Sequence, residues 1–186
     1  MVHSRELIEM AKNYGFEHVA VIETSAIRFH EEVRKACERN VCGKYDTNWM
    51  GPPAIGIVSD LKKQVLHYPK GLFLQTVHRL QRQFDSKGMF AAAEAHQSLF
   101  RTFWKKVKNT HPDLRLLPLD VGCCSICEKC AYQDQEPCRY PDQAVSSVEA
   151  YGMDVATLMK AADIPCSRGK ESVGFIGLIL FDNQAK

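Results

Sequence analysis

Residues 122–141 read G-C-C-S-I-C-E-K-C-A-Y-Q-D-Q-E-P-C-R-Y-P and hold five of the chain's eight cysteines. Cys124, Cys127 and Cys130 follow one another at C-x2-C-x2-C, and Cys138 comes after seven more residues, between Pro137 and Pro141. A two-residue gap lets consecutive thiolates turn toward one point while the intervening backbone N–H groups face the same point. That geometry suits a compact iron–sulfur cubane, and bacterial ferredoxins carry a similar run. Zinc sites more often show two separated C-x2-C pairs. A 4Fe–4S cluster on Cys124, Cys127, Cys130 and Cys138 is therefore the leading reading, and a structural zinc is the alternative.

The residues around this run decide the architecture. Residues 114–121 are apolar and extended in character and deliver the chain into the cysteine run as a strand. Before them, residues 88–109 form the longest helix, with Phe100, Phe103, Trp104 and Val107 at i, i+3, i+4 and i+7 on a core-facing stripe. His96 lies on that helix with no second histidine four residues on, so it is not read as a ligand. Pro112 stops the helix. After the run, Ser146 or Ser147 caps a short turn through Ala150, and a helix spans 154–162. Residues 172–181 form a last strand, apolar enough to be central.

The first half adds a helix over 5–14, with Leu7, Ile8, Ala11 and Tyr14 on one face and Gly15 as its left-handed stop. A strand covers 16–22 and a helix 26–38, with Phe29, Val33 and Cys37 on one stripe. A further helix covers 60–68, with Leu61, Val65 and Leu66 inward, and a strand 72–80; residues 81–87 are a polar loop. Between them, 37–53 reads C-E-R-N-V-C-G-K-Y-D-T-N-W-M-G-P-P, a segment of structure breakers. Cys37 and Cys42 stand at C-x4-C, which a loop can fold round one metal. The sum is one α/β or α+β domain over 1–186: about four strands covered by helices, with cysteine loops at 37–53 and 122–141.

Bulk numbers narrow the class. The chain has 186 residues, 45% hydrophobic and 25% charged, enough for a soluble domain with a real core. A net charge of +2 gives no broad field for nucleic acid. No apolar run reaches the ~18–20 residues that span a bilayer. The first ten residues lack a secretion signal's charged-then-apolar plan, so the expected compartment is the cytoplasm. There thiols stay reduced, and clustered cysteines point to metal rather than disulfides. No nucleotide-binding glycine motif is present.

The run from Cys124 to Val155, with P-C-R-Y-P and then S-V-E-A-Y-G-M-D, resembles an uncharacterised prokaryotic family of predicted metal-binding proteins, domain of unknown function 2284. Its members carry a similar C-x2-C-x2-C, then P-C-R-x-P, then S-x-E-A-Y-G-x-D. The first half is similar too: Cys37 and Cys42 at C-x4-C, then Trp49, then Pro52 and Pro53. The resemblance implies metal binding through Cys37 and Cys42 as well, and no particular activity. Where the family has a cysteine before the two prolines this chain has Gly51, and Cys123 is the candidate substitute.

The chemistry follows in two forms. A cluster with four protein thiolates is closed and suits one-electron transfer, or an accessory redox role in anaerobic metabolism with a redox partner protein. Cys37 and Cys42 either help hold a second cluster, completed by Cys123 or Cys166, or converge on the first. A cluster with three protein thiolates leaves one iron open for substrate, an enzyme's arrangement. Arg139 beside Cys138 is a candidate for tuning a cluster or anchoring a partner's carboxylate, although a plain surface role is the simpler reading. Glu149 and Tyr151 are expected to buttress the cysteine loop by hydrogen bonds.

Overall fold

The computed structural model describes residues 2–82, 85–164 and 171–182; Cys166 lies outside them. Helix α1 (Val2–Tyr14) leads to strand β1 (His18–Glu23), a 3-10 turn (Thr24–Ala26), α2 (Glu31–Glu38) and α3 (Val58–Leu66). Strand β2 (Lys70–Arg79), the long α4 (Ser86–Thr110) and β3 (Arg115–Asp120) follow. A second 3-10 turn (Ala131–Asp134), β4 (Ser146–Ser147), α5 (Val155–Ala161) and β5 (Ser172–Asp182) complete the order. The sheet runs β1-β2-β5-β3-β4. All pairings are antiparallel except the short parallel one between β3 and β4. The last long strand, β5, is central, as its composition predicts.

Continuous apolar runs in β2 and β5 mean that both faces of the sheet are covered. Side chains alternate across a strand. Leu72, Leu74, Ile179 and Phe181 therefore pack on one side with Leu7 and Ala11 of α1 and Phe100, Phe103, Trp104 and Val107 of α4. Phe73, Leu178 and Leu180 pack on the other with Leu61 and Val65 of α3 and Leu158 and Met159 of α5. Each such side chain fully withdrawn from water contributes about 1.5–3 kcal/mol. Gly177 sits where α4 meets β5: a Cβ there would lie 2.4 Å from the Phe100 ring. The bare backbone is what lets Phe100 press onto the strand.

Several local expectations shift, each for a visible reason. The helix expected over 26–38 begins only at Glu31. Phe29 is held extended in a bridge to Met153, and His30 N donates to Gly152 O at 2.8 Å. Phe29 therefore leaves the stripe with Val33 and Cys37. Helix α4 starts earlier than expected because the Asp85 carboxylate accepts from Gly88 N at 3.0 Å and caps it. Ser146 and Ser147 form a fifth strand beside Leu119 and Asp120 of β3. The turn after them is nonetheless present, and Ala150 N donates to Ser147 Oγ at 3.1 Å. Leu66, expected inward, is 47% exposed. Among the described residues no helix is long and apolar enough to cross a membrane.

Candidate metal centre

The cysteine loop hangs from the C-terminal end of β3 and is splinted by α4. Gly122 turns the chain at a φ of +67°, a conformation favouring glycine. Gln97 of α4 donates from Nε2 to Val121 O at 2.7 Å and to Cys123 O at 3.2 Å. Ser125 Oγ donates to Gln97 Oε1 at 2.9 Å, and Arg101 Nη1 donates to Ser125 Oγ at 3.0 Å. Asp120 Oδ1 accepts from Val121 N at 2.8 Å. His96, fully buried beneath, sits 3.3 Å from that same oxygen through Nε2, while its Nδ1 is 2.8 Å from Thr76 Oγ1. These contacts give His96 a supporting place under the loop.

The two cysteine loops dock on each other. Trp49 Nε1 donates to Glu136 O at 2.9 Å, and its ring meets Tyr132 edge-on at 4.9 Å. The Tyr132 hydroxyl donates to Asp46, and Gln133 Nε2 donates to Thr47 O at 3.2 Å. Arg139 Nη1 donates to Lys129 O at 2.9 Å, so it closes the 122–141 loop on itself. The Pro52–Pro53 peptide is cis.

This docking sorts the described cysteines into two pockets. Cys124, Cys127, Cys130 and Cys138 line the first, walled by Trp49, Met50, Ile126, Tyr140 and Ala144. Cys37, Cys42 and Cys123 line the second, a cavity of about 270 Å³ shared with Lys44, Gly51 and Glu149. Asn48 and Met50 line both. Electrostatic neighbours follow the same division: Cys124 feels Cys138 and Cys130, whereas Cys42 acts on both Cys37 and Cys123. Cys123 and Cys124, adjacent in sequence, share a small pocket beside Gln97 and Arg101, but only Cys124 lines the pocket of Cys127, Cys130 and Cys138, and only Cys123 lines the cavity of Cys37 and Cys42. Among the described residues no three cysteine sulfurs lie within 4.8 Å of one another. Four sulfurs round one zinc would stand about 3.8 Å apart, given Zn–S near 2.3 Å in a tetrahedron.

Burial pushes the Cys124 thiol up, and backbone N–H groups of Ile126 and Val145 oppose it by hydrogen bonding to the sulfur. Those donors favour a thiolate. Burial likewise raises Cys37, opposed by Arg34, and Cys123, opposed by Lys44. Metal loading therefore expels protons from these thiols. Burial also raises Glu149, opposed by hydrogen bonds from its own backbone N–H and the Ser147 side chain. Its buried Oε2 has no partner among the described residues.

All seven described cysteines are free thiols. The expectation that Tyr151 buttresses the cysteine loop is corrected: its hydroxyl donates to Gln64 Oε1 of α3 at 3.0 Å. Glu149 lines the Cys37 cavity, and its hydrogen bonds go to its own backbone N–H and Ser147 rather than to the cysteine loop. Sequence reasoning missed Asn48, Gln97 and Arg101. Their types are ordinary, and only the fold brings them to the loops.

A family profile described as "Predicted metal-binding protein (DUF2284)" matches residues 20–181. No curated protein matches the chain. Among solved structures, epoxyqueuosine reductase from Streptococcus thermophilus is similar at 12% identity with a TM-score of 0.46. The match covers 99% of this chain and 46% of that one, so the chain spans less than half the length of that protein. The residues matched by the profile include both cysteine loops, and the chain belongs to the DUF2284 family of predicted metal-binding proteins.

Proposed function

We propose that the protein is an iron–sulfur protein carrying a 4Fe–4S cluster on Cys124, Cys127, Cys130 and Cys138, and that it transfers single electrons to and from a partner protein. The carrying observation is that these four thiols line one pocket walled by apolar side chains, with two backbone N–H groups bonded to the Cys124 sulfur. A donor set of thiolates alone fits an iron–sulfur cluster. When bound, such a cluster supplies a one-electron couple whose potential depends on burial and on hydrogen bonds to sulfur. The chain's own contribution is to hold the four thiols, direct N–H groups at one of them and limit water with Trp49 and Met50. A cytoplasmic setting, with thiols kept reduced, suits this assignment.

A second reading is favoured by one observation, the cavity at Cys37, Cys42 and Cys123. It has three thiols, and Gly51 stands on its wall with no side chain to offer. A second metal group held there would keep a position open to a small ligand, an enzyme's arrangement rather than a carrier's.

The test is anaerobic purification with iron, acid-labile sulfide and zinc measured per chain, and absorption spectra before and after dithionite. About four irons and four sulfides with a bleachable brown absorbance are expected for the first pocket alone, and about eight if both are loaded. A spectral change on adding cyanide or a thiolate supports the open site. About one zinc and no iron, in protein made under iron-replete anaerobic conditions, overturns the redox reading and leaves a structural metal.

A further inference from the structure

A different donor set lies at the other end of β3, roughly 20 Å from the cysteine loops by the rise of a strand. There the turn between α4 and β3 meets the first turns of α1. His3, Glu6 and His111 each present a ligand atom, and the three atoms lie within 4.8 Å of one another. His111 is 5% exposed, and its Nε2 has no hydrogen-bond partner among the described residues. That nitrogen is 3.8 Å from Glu6 Oε1. His3 Nδ1 is likewise buried without a partner, while its Nε2 lies 3.6 Å from Asp113 Oδ2. The two imidazoles meet edge-on with centroids 5.4 Å apart.

Two imidazoles meeting here, each with a buried unpartnered nitrogen, need an explanation, because proteins pair nearly all such atoms. A cation explains both at once. Neutral imidazole nitrogens with one carboxylate are the ligand set of zinc-class ions, as distinct from the all-oxygen sets of magnesium and calcium. The Asp113 carboxylate stands where a second carboxylate orients a ligating histidine by accepting from its other ring nitrogen. Zinc bonds near 2.0–2.1 Å place neighbouring donors about 3.3 Å apart. Glu6, 48% exposed in its side chain, is free to close the present gap by a rotamer change.

We propose that His3, Glu6 and His111 bind a zinc-class divalent cation, with Asp113 orienting His3, and that this ion fastens α1 to the turn between α4 and β3. The site is independent of the cysteine pockets in place and in chemistry. Its three protein donors leave a further position for water, since Glu6 and Asp113 both reach solvent.

The test uses the full chain, free of any histidine tag, with its anaerobic metal complement in place. Cobalt(II) is titrated first, because nitrogen and oxygen ligation gives weak visible bands without the intense thiolate charge transfer of a cysteine site. Zinc affinity is then measured by competition with a chromophoric chelator. The expected result is one further equivalent in the unaltered chain, lost in His111→Gln and bound about 10–100-fold more weakly in Asp113→Asn and Glu6→Gln. Zinc should also raise the unfolding midpoint of the unaltered chain, and at the same zinc concentration raise that of Glu6→Gln less. Glu6 and Asp113 are exposed enough that their variants will fold even if His111→Gln does not. Unchanged zinc affinity in both Glu6→Gln and Asp113→Asn, or a cobalt spectrum showing only thiolate charge transfer, overturns the site.

Discussion

The two cysteine pockets share a wall but differ in how they are closed. The Cys124, Cys127, Cys130 and Cys138 pocket draws all its thiols from one loop and is walled by Trp49, Met50 and Tyr140. The Cys37, Cys42 and Cys123 cavity draws its thiols from two loops and offers about 270 Å³ of space beside Gly51 and Glu149. Local spacing suffices for the first, since three thiols with two residues between each converge wherever the loop is placed. The second exists only because Trp49, Tyr132 and Gln133 bind the loops together. A closed set of four thiols suits electron transfer, and an open set of three suits ligand exchange.

The largest expected effect comes from Cys127→Ser, which removes a thiol from the closed pocket. About four irons per chain should disappear, with the bleachable absorbance, while any response to cyanide at the open cavity persists. Loss of both signals together would show that the pockets hold one shared metal group, breaking the comparison.

Next is Gly51→Cys, which adds a thiol on the cavity wall. A Cβ there would lie 2.9 Å from Asn48 Nδ2, the end of a side chain that must give way. If the cavity holds an open metal, this variant should lose most of its spectral response to cyanide and keep its iron. An undiminished response would place the exchangeable ligand elsewhere.

The sheet supplies a contrast to both pockets. Gly177→Ala would force the buried Phe100 ring from β5, an overpacking cost of about 1–3 kcal/mol in chemical denaturation. Metal content per folded chain should not change, because Phe100 belongs to the core between α1, α4 and the sheet. A fall in iron would show that the core and the cysteine loops unfold together.

The smallest effect is expected for Tyr151→Phe. Its hydroxyl bonds to Gln64 on α3, so the change should cost about 0.5–1.5 kcal/mol and leave the cluster spectrum and its lifetime in air unaltered. A shortened lifetime would restore a link between Tyr151 and the cysteine loops that the hydrogen bonds do not display.

The secondary structure was largely legible because its signals are local. Leu7 and Ala11, the Phe100 to Val107 stripe and the second half of β5, Ile176 and Leu178 to Phe181, are buried as the sequence predicts. The misplacements fall where a distant partner intervenes. Phe29 is drawn out of its helix by Met153, and Ser146 and Ser147 are drawn into the sheet by β3. Neither partner is within reach of a local pattern.

By itself, the sequence pointed to the grouping of Cys124, Cys127, Cys130 and Cys138, the two cysteine loops and a sheet covered by helices, because spacing, turn residues and hydrophobic period act over a few residues. Only the tertiary structure decided that Cys124 joins Cys127, Cys130 and Cys138 in one pocket while Cys37 and Cys42 meet Cys123 across another. It alone brought His3 within reach of His111. Such groupings depend on how β3, α4 and the loops pack. Contacts between residues about a hundred positions apart leave no period in the chain.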